Sequence, residues 1–232
     1  MHLFDIPREE TELTAMTVEW SLLAGGRPGE LEHAGITVCF PGGHCMIYLI
    51  PDHRDSTQRL VNWAIYITPA RPLPSPALIP PGRVPADVMH LMNQVVTEYF
   101  PPWWADVVLR TPAGEISVQP VFDALASRYV SGRMLLAGDA GATARPHTGS
   151  GAAKAIADAF ALENACGAAP ELAPALSGYE RARHAAGLAL VTLGSSLGRA
   201  QVGHTPDWSQ MSEADFLLWW QEAASGRSSL YE

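Results

Sequence analysis

One stretch of the chain carries the strongest structural signal: RMLLAGDA at residues 133–140, followed by ARPHTGSG at residues 144–151 and an alanine-rich run. The pattern predicts a strand, an acidic turn, a glycine-rich approach and a helix. An apolar run that ends in Gly-Asp places the carboxylate of Asp139 at the carboxyl end of a buried strand, where open α/β sheets bind ligands. Gly149 and Gly151 remove side chains just before the helix, so a flat or anionic group can reach its first N–H groups.

Three better-known glycine motifs do not match this stretch. A phosphate-binding loop needs Gly-Lys-Ser/Thr, but Lys154 lies between Ala153 and Ala155. A dinucleotide fingerprint needs a third Gly or Ala at the position of Lys154 and a strand directly before the glycines. A nucleophile elbow around Ser150 needs a glycine where Thr148 stands. An ordinary strand-loop-helix with a solvated aspartate remains as the structural alternative.

The stretch resembles the second FAD-binding motif of the flavin-dependent aromatic hydroxylases, the para-hydroxybenzoate hydroxylase family. The positions in register with that motif are Gly138, Asp139, Ala140, Pro146, Gly149, Gly151, Ala155, Asp158 and Ala159. Residues 119–123 and the Arg-Pro-His at 145–147 are most similar to the branch that includes dihydroxypyridine hydroxylases. The chain departs from the broader pattern at Ala142, where His is usual, and at Ala153, where Asn is usual.

The resemblance implies FAD as the cofactor, NAD(P)H as the electron donor and hydroxylation of a small aromatic or heteroaromatic substrate. Asp139 would accept a hydrogen bond from the ribityl chain, and the N–H groups of Ala152 and Ala153 would meet the pyrimidine end of the flavin. The implied cofactor-binding residues are Gly138, Asp139, Pro146, Gly149, Gly151, Ala152 and Ala153.

Candidate residues for the substrate come from the same resemblance and from strand periodicity. His147 is the candidate catalytic residue, because an imidazole can pair with a ring hydroxyl near neutral pH; a loop-fixing role is the alternative. Period 2 places Trp63 and Tyr66 on opposite faces of their strand, so at most one of them can contact the ring. Arg145 is expected in a surface salt bridge, with attraction of an anionic substrate or cofactor phosphate as the alternative. The predicted substrate-binding residues are Tyr48, Trp63 and Pro146.

Composition restricts the class of partner. The chain has 232 residues, 47% of them hydrophobic, a net charge of −9 and a single lysine, Lys154, so it lacks a basic stripe suited to nucleic acid. Cys39, Cys45 and Cys166 are odd in number, which favours a reduced cytoplasmic setting over a disulfide scaffold. Cys39, Cys45 and His44 lack an obvious fourth ligand, so no metal site is predicted. Neither a signal peptide nor an apolar run of the ~20 residues that span a bilayer is present, so no membrane partner is expected.

The predicted fold class is α/β (α+β): an antiparallel substrate-domain sheet, the C-terminal half of an FAD-binding domain and trailing helices. The expected division is a sheet domain at 1–130, a flavin-binding strand-loop-helix at 131–168 and C-terminal helices at 169–232. Strands are predicted at 17–23, 35–40, 45–50, 60–68, 107–109, 116–119 and 133–137, and helices at 85–100, 152–166, 174–201 and 209–225.

The Gly-x-Gly-x-x-Gly turn that would hold the ADP half of FAD is missing. The leading hypothesis is therefore an FAD-dependent monooxygenase present as a C-terminal segment. The alternative is an inactive or split flavoprotein segment that acts as a substrate-binding or dimerisation module. The expected partners are a homodimer mate or a second chain that carries the ADP-binding half.

Overall fold

The computed structural model describes residues 8–21, 35–55, 57–68 and 78–224. The chain divides into two compact units. The sheet unit comprises Glu12–Pro120 and Gln201–Ser209, and the helical unit comprises Met1–Thr11, Val121–Ala200 and Gln210–Glu232. The three functional segments predicted from the sequence stay a prediction, because compactness alone assigns no function.

An antiparallel sheet forms the frame of the sheet unit. Four strands of this six-stranded sheet are β1 (Arg8–Ser21), β2 (Ile36–Phe40), β3 (Gly43–Pro51) and β4 (Arg59–Ile67), and they lie in the order β2-β3-β4-β1. All four lie where the alternating pattern predicts strands, although residues 22 and 23 of the first predicted strand lie outside the described residues. Gly42, at φ 80°, makes the tight turn between β2 and β3, a conformation that glycine adopts without steric cost.

Two helices cover one face of this sheet. They are α1 (Ala86–Tyr99) and α2 (Pro102–Leu109). The strand predicted at 107–109 is wrong, because Pro102 occupies the first turn of α2 and its fixed φ favours helix initiation over the β-branched preference of the valines. The core between the layers includes Ile47, Val61, Trp63, Ile65, Met92, Val96, Trp104 and Val108.

The helical unit consists mainly of three long helices. They are α3 (Gly151–Ala168), α4 (Leu172–Gly198) and α5 (Glu213–Ala223), and α4 continues into a π-helical turn, Arg199–Gly203. A capping box starts α5, because the Ser212 hydroxyl and the Asp215 carboxylate each bind the other residue's backbone N–H. Among the described residues, none of the helices combines the length and the apolar character needed to cross a membrane.

Four further strands of the described chain precede α3. They are β5 (Ser117–Leu125), β6 (Val130–Ser131), β7 (Met134–Leu135) and β8 (Ala142–Thr143), with β5 paired to β8 and β6 paired to β7. The buried strand predicted at 133–137 is wrong: only two residues form β7, and Met134 is 47% exposed. Within the described chain β7 pairs only with the two-residue strand β6, so this apolar run does not join a larger sheet that could bury it.

Candidate cofactor-binding site

The acidic turn follows β7 directly. Residues Gly138–Ala140 form a 3₁₀ turn in which Gly138 has a φ of 57°, the left-handed region that favours glycine. The Asp139 side chain is exposed, and its backbone carbonyl accepts a hydrogen bond of 2.9 Å from the Thr143 hydroxyl. The turn therefore presents a carboxylate to its surroundings.

The N-terminus of α3 lies beside this carboxylate. A Cβ atom placed on Gly151 would be 3.9 Å from Asp139 Oδ1. Within the described chain no side chain caps the first turn of α3, since the Ser150 hydroxyl donates instead to the Thr148 carbonyl at 2.8 Å. Gly151, Ala152 and Ala153 are exposed, so their N–H groups and the positive end of the helix dipole face outward beside Asp139. The structure thus brings together the carboxylate and the helix terminus that the sequence predicts to share a site.

The Arg-Pro-His segment forms a second turn before α3. Pro146 starts the 3₁₀ turn Pro146–Thr148, and Gly149 ends it with a φ of 62°. Pro146 is exposed and His147 is half-buried. The predicted residues of the two turns therefore lie in one unit: the second turn ends at Thr148, shortly before α3, and the first turn brings Asp139 beside the same helix terminus.

A buried ion pair holds the second turn, whereas the sequence predicted a salt bridge of Arg145 on the surface. Arg145 Nε lies 2.8 Å from Asp123 Oδ2, and the two side chains are 8% and 4% exposed. The Arg145 backbone N–H also donates to Asp123 Oδ1 at 3.3 Å. The predicted location of this salt bridge is therefore wrong, because the Arg145 side chain is buried beneath the loop, where it pairs with Asp123 on β5. A guanidinium so paired is not available as an anion-attracting group.

Two glycines of α4 leave room for Arg145. A Cβ on Gly198 would lie 2.6 Å from Arg145 Nη1 and 2.8 Å from its Cδ, and one on Gly194 would lie 3.1 Å from its backbone N. The spacing of four residues puts both glycines on one face of α4. These two glycines allow the loop to pack closely on the helix.

A second charged network lies under the acidic turn. Asp158 is fully buried and pairs with Lys154 at 2.7 Å and with Arg183 at 2.6 Å. Burial by itself raises the pKa of Asp158, but the hydrogen bonds from Lys154, Arg183 and Gly138 outweigh it and hold the pKa below its usual range. Sequence reasoning identifies Asp158 only as a position of the FAD motif and misses Lys154, although the spacing of four residues between the two on one helix offered the signal.

Two of the predicted substrate residues, Tyr48 and Trp63, lie in the sheet unit on different faces of the sheet, whereas Pro146 lies in the helical unit. Trp63 is fully buried in the core, where its indole N–H donates to Thr111 Oγ1 at 3.0 Å. This placement argues against a substrate contact, because the strand register turns Trp63 toward α1 and α2. Tyr48 is 40% exposed on the opposite face.

The face that carries Tyr48 also carries Tyr66, which is stacked on His44, a contact that the sequence did not predict. His44 and Tyr66 are register partners whose ring centroids are 4.9 Å apart. Burial lowers the pKa of His44 to about 4, against an opposing contact from the Gln201 backbone, and burial raises the pKa of Tyr66 to about 12. Both rings are therefore neutral near pH 7.

The residues of the two turns fit FAD. An exposed carboxylate suits the hydroxyl groups of a ribityl chain, and an uncapped helix terminus suits the electron-rich pyrimidine edge of the ring. Gly149 and Gly151 are both exposed, and the only described atom within 4 Å of a Cβ on Gly151, outside its own neighbours and helix backbone, is the Asp139 oxygen. The space directly beside Gly151 is therefore open on the side away from its own helix.

Comparison with known proteins gives the same picture of the fold and of the residues around the two turns. The FAD binding domain family matches residues 90–193. Among curated proteins, 2,6-dihydroxypyridine 3-monooxygenase from Paenarthrobacter nicotinovorans is 30% identical over 132 residues, which cover 52% of this chain and 32% of the relative.

Solved structures show the same fold. The 2,6-dihydroxypyridine-3-hydroxylase from Arthrobacter nicotinovorans matches with a TM-score of 0.69 at 22% identity, covering 88% of this chain and 55% of the other. HpxO from Klebsiella pneumoniae, in complex with FAD and uric acid, matches with a TM-score of 0.67 at 19% identity, covering 95% of this chain and 51% of the other. The predicted fold class and the resemblance to FAD-dependent hydroxylases are confirmed. The chain spans about a third of the curated relative and about half of these solved structures.

Proposed function

We propose that this chain is the flavin-ring half of an FAD-dependent monooxygenase that hydroxylates a small aromatic or heteroaromatic compound. The observation that carries the proposal is the exposed Asp139 carboxylate beside the uncapped N-terminus of α3. The carboxylate stabilises the positive end of the helix dipole, and the exposed, glycine-lined surface beside it leaves the first N–H groups of α3 accessible to a ligand.

Each predicted site residue has a role in this proposal. Asp139 accepts hydrogen bonds from the ribityl chain, and the backbone of Gly138 shapes the turn that carries it. The N–H groups of Ala152 and Ala153 hold the pyrimidine edge, where negative charge collects on reduction. Gly149 and Gly151 keep that approach free of side chains. Pro146 lies along the ring edge, next to the substrate.

The proposed substrate contacts are given for each unit by itself. His147 pairs with a ring hydroxyl of the substrate and orients it. The sheet face that carries Tyr48 and Tyr66 supplies aromatic contact area, while Trp63 stays in the core. FAD supplies the activation of dioxygen, with NAD(P)H as the electron donor. A reduced cytoplasmic setting is proposed, which suits the free thiols of Cys39, Cys45 and Cys166.

A partner that carries the ADP-binding half completes the proposal. The relatives are about twice or three times as long as the matched part, and this sequence lacks the Gly-x-Gly-x-x-Gly turn. The outer face of α3 exposes Ile156 and Phe160 at 59% and 60%, an apolar surface suited to that half. The alternative is a split segment without activity of its own, whether a substrate-binding or a homodimerisation module.

A panel of flavin ligands tests the proposal on the chain itself. The chain is titrated with FAD, FMN and riboflavin while flavin fluorescence is followed, and ADP is added as a competitor. Because the contacts proposed for this chain involve only the ring and ribityl parts, the three flavins are expected to bind weakly and within about threefold of one another. The variant Asp139→Ala is expected to weaken all three by about tenfold, the loss of one charge-assisted hydrogen bond.

Three results would contradict the proposal. The first is effective competition by ADP, and the second is equal affinity of the parent and Asp139→Ala. The third is submicromolar FAD binding with NAD(P)H-dependent hydroxylation by this chain alone. That last result would overturn the assignment of a flavin-ring half while keeping the flavoenzyme class.

A further inference from the structure

The buried charges under the acidic turn form a closed group, which we call the Lys154 cluster: Lys154, Asp158 and Arg183. Lys154 Nζ and Arg183 Nε bind the two carboxylate oxygens of Asp158 at 2.7 and 2.6 Å. The side chains of Lys154 and Asp158 are 4% and 0% exposed. Lys154 is the only lysine of the chain, and it is placed where its ammonium is almost completely removed from water.

This cluster binds both backbone polar groups of one residue of the turn. The Gly138 N–H donates to Asp158 Oδ2 at 2.8 Å, and the Gly138 carbonyl accepts from Lys154 Nζ at 2.7 Å. Lys154 and Asp158 lie one turn apart on α3, so a single helix binds both the N–H and the carbonyl of Gly138; we call this pair of contacts the grip on Gly138. A backbone held at a φ of 57° by two charge-assisted hydrogen bonds has little freedom to rotate.

The residue that follows is the proposed ribityl acceptor. Asp139 extends from Gly138 toward the N-terminus of the same helix, with its Oδ1 atom 3.9 Å from a Cβ position on Gly151. The packing of the turn on α3 is close, since a Cβ on Gly138 would lie 3.4 Å from the Cβ of Ala155. The relative position of the carboxylate and the helix terminus is therefore set by the grip on Gly138.

We propose that Lys154 is a positioning residue of the cofactor site, which acts through Gly138 to place the Asp139 carboxylate at the N-terminus of α3. The proposal rests on the proposed function, because it takes FAD as the ligand of Asp139. Lys154 itself is buried and contacts only the protein. Its ammonium orders the turn before the cofactor binds, so the binding of FAD does not have to offset the entropy lost on ordering the turn.

A double-mutant cycle separates positioning from general stability. FAD affinity is measured by fluorescence for the parent, Asp139→Ala, Lys154→Met and the double variant. Each single change is expected to weaken FAD about tenfold, and the double variant should stay within about threefold of Asp139→Ala, because Lys154 has no effect once its target is gone. Multiplied effects in the double variant would overturn the proposal.

Leu193→Ala serves as the matched control. This residue is buried in a separate core group of α4 with Leu197 and Ala223, so its truncation destabilises the helical unit without touching the turn. It is expected to leave FAD affinity within about threefold of the parent. Lys154→Gln, which keeps a donor for the Gly138 carbonyl, replaces Lys154→Met if the latter does not fold. Failure of both to fold would overturn a positioning role and make Lys154 a general stability residue.

Hydrogen exchange supplies a readout that does not need a cofactor. In Lys154→Met the amides of Gly138 and Asp139 are expected to exchange at least about tenfold faster than in the parent, with amides of α1 unchanged. If the parent binds no flavin even at millimolar concentration, the proposed function fails. The exchange rates of the Gly138 and Asp139 amides then test by themselves whether Lys154 holds the turn in place. Unchanged exchange at Gly138 would overturn the inference whatever the affinity for FAD.

Discussion

The buried Asp123–Arg145 pair gives the most direct test of how the loop before α3 is held. In Arg145→Met the guanidinium is removed and the aliphatic stem is kept, so Asp123, at 4% side-chain exposure, keeps its charge without its partner. Breaking a buried pair in this way costs about 3–5 kcal/mol. We place the loss near the lower bound, about 3 kcal/mol, because the backbone N–H of residue 145 still donates to Asp123 Oδ1 at 3.3 Å.

Urea unfolding followed by far-UV circular dichroism measures this loss in the helical unit. With an m-value of about 2 kcal/mol/M, a loss of about 3 kcal/mol moves the midpoint by about 1.5 M. The double variant Asp123→Asn, Arg145→Met is expected to recover part of the loss, because no uncompensated charge stays buried. If the two units unfold in separate transitions, each is fitted by itself.

The exposed pair Arg110–Asp106 is the matched control. Its N–O distance is 2.8 Å, as in the buried pair, but its side chains are 53% and 55% exposed. Arg110→Met is therefore expected to cost at most about 0.5 kcal/mol. Equal losses in Arg110→Met and Arg145→Met would refute the reasoning, since burial would then have no effect on the strength of the pair.

Three further predictions concern single positions. The pKa of His44 is about 4 in the folded state and about 6.5 in the unfolded state, so between these values the unfolded state binds more protons and stability decreases as the pH is lowered. From pH 7 to pH 5 the parent is expected to lose about 2 kcal/mol of unfolding free energy in urea, whereas His44→Gln is not. An equal loss in both proteins would contradict the argument. Trp63→Phe removes the 3.0 Å bond to Thr111 and should cost about 1–3 kcal/mol while flavin affinity stays unchanged; a loss of flavin binding would restore Trp63 to the site. Gly151→Val should leave the unfolding midpoint nearly unchanged, since its Cβ would meet only Asp139 Oδ1 at 3.9 Å, but should weaken flavin at least about tenfold, and equal titration curves would remove Gly151 from the site.

Periodicity and turn chemistry predicted the local structure well where residues within one helix, strand or turn determine its conformation. The hairpins of the sheet and the start of α1 after Pro85 follow from alternation and proline geometry. The predicted start of the last helix at residue 209 is wrong, because the capping box of Ser212 and Asp215 starts α5 at Glu213. The same local rules failed at 107–109, where two valines suggested a strand and Pro102 started a helix. Competing local preferences are settled by packing, which the sequence does not display.

The sequence by itself determined which chemical groups meet at the cofactor site. Gly138, Asp139 and the first turn of α3 are close along the chain, so their spacing suffices to bring them together once the turn and the helix form. Only the tertiary structure decided how those groups are held. Asp123 and Arg145 are 22 residues apart, and Arg183 lies 25 residues from Asp158, so their pairing depends on how β5, α3 and α4 pack. Burial then turns these pairs from surface contacts worth little into strong constraints on the site, because the low polarity of the interior strengthens every charge-assisted bond.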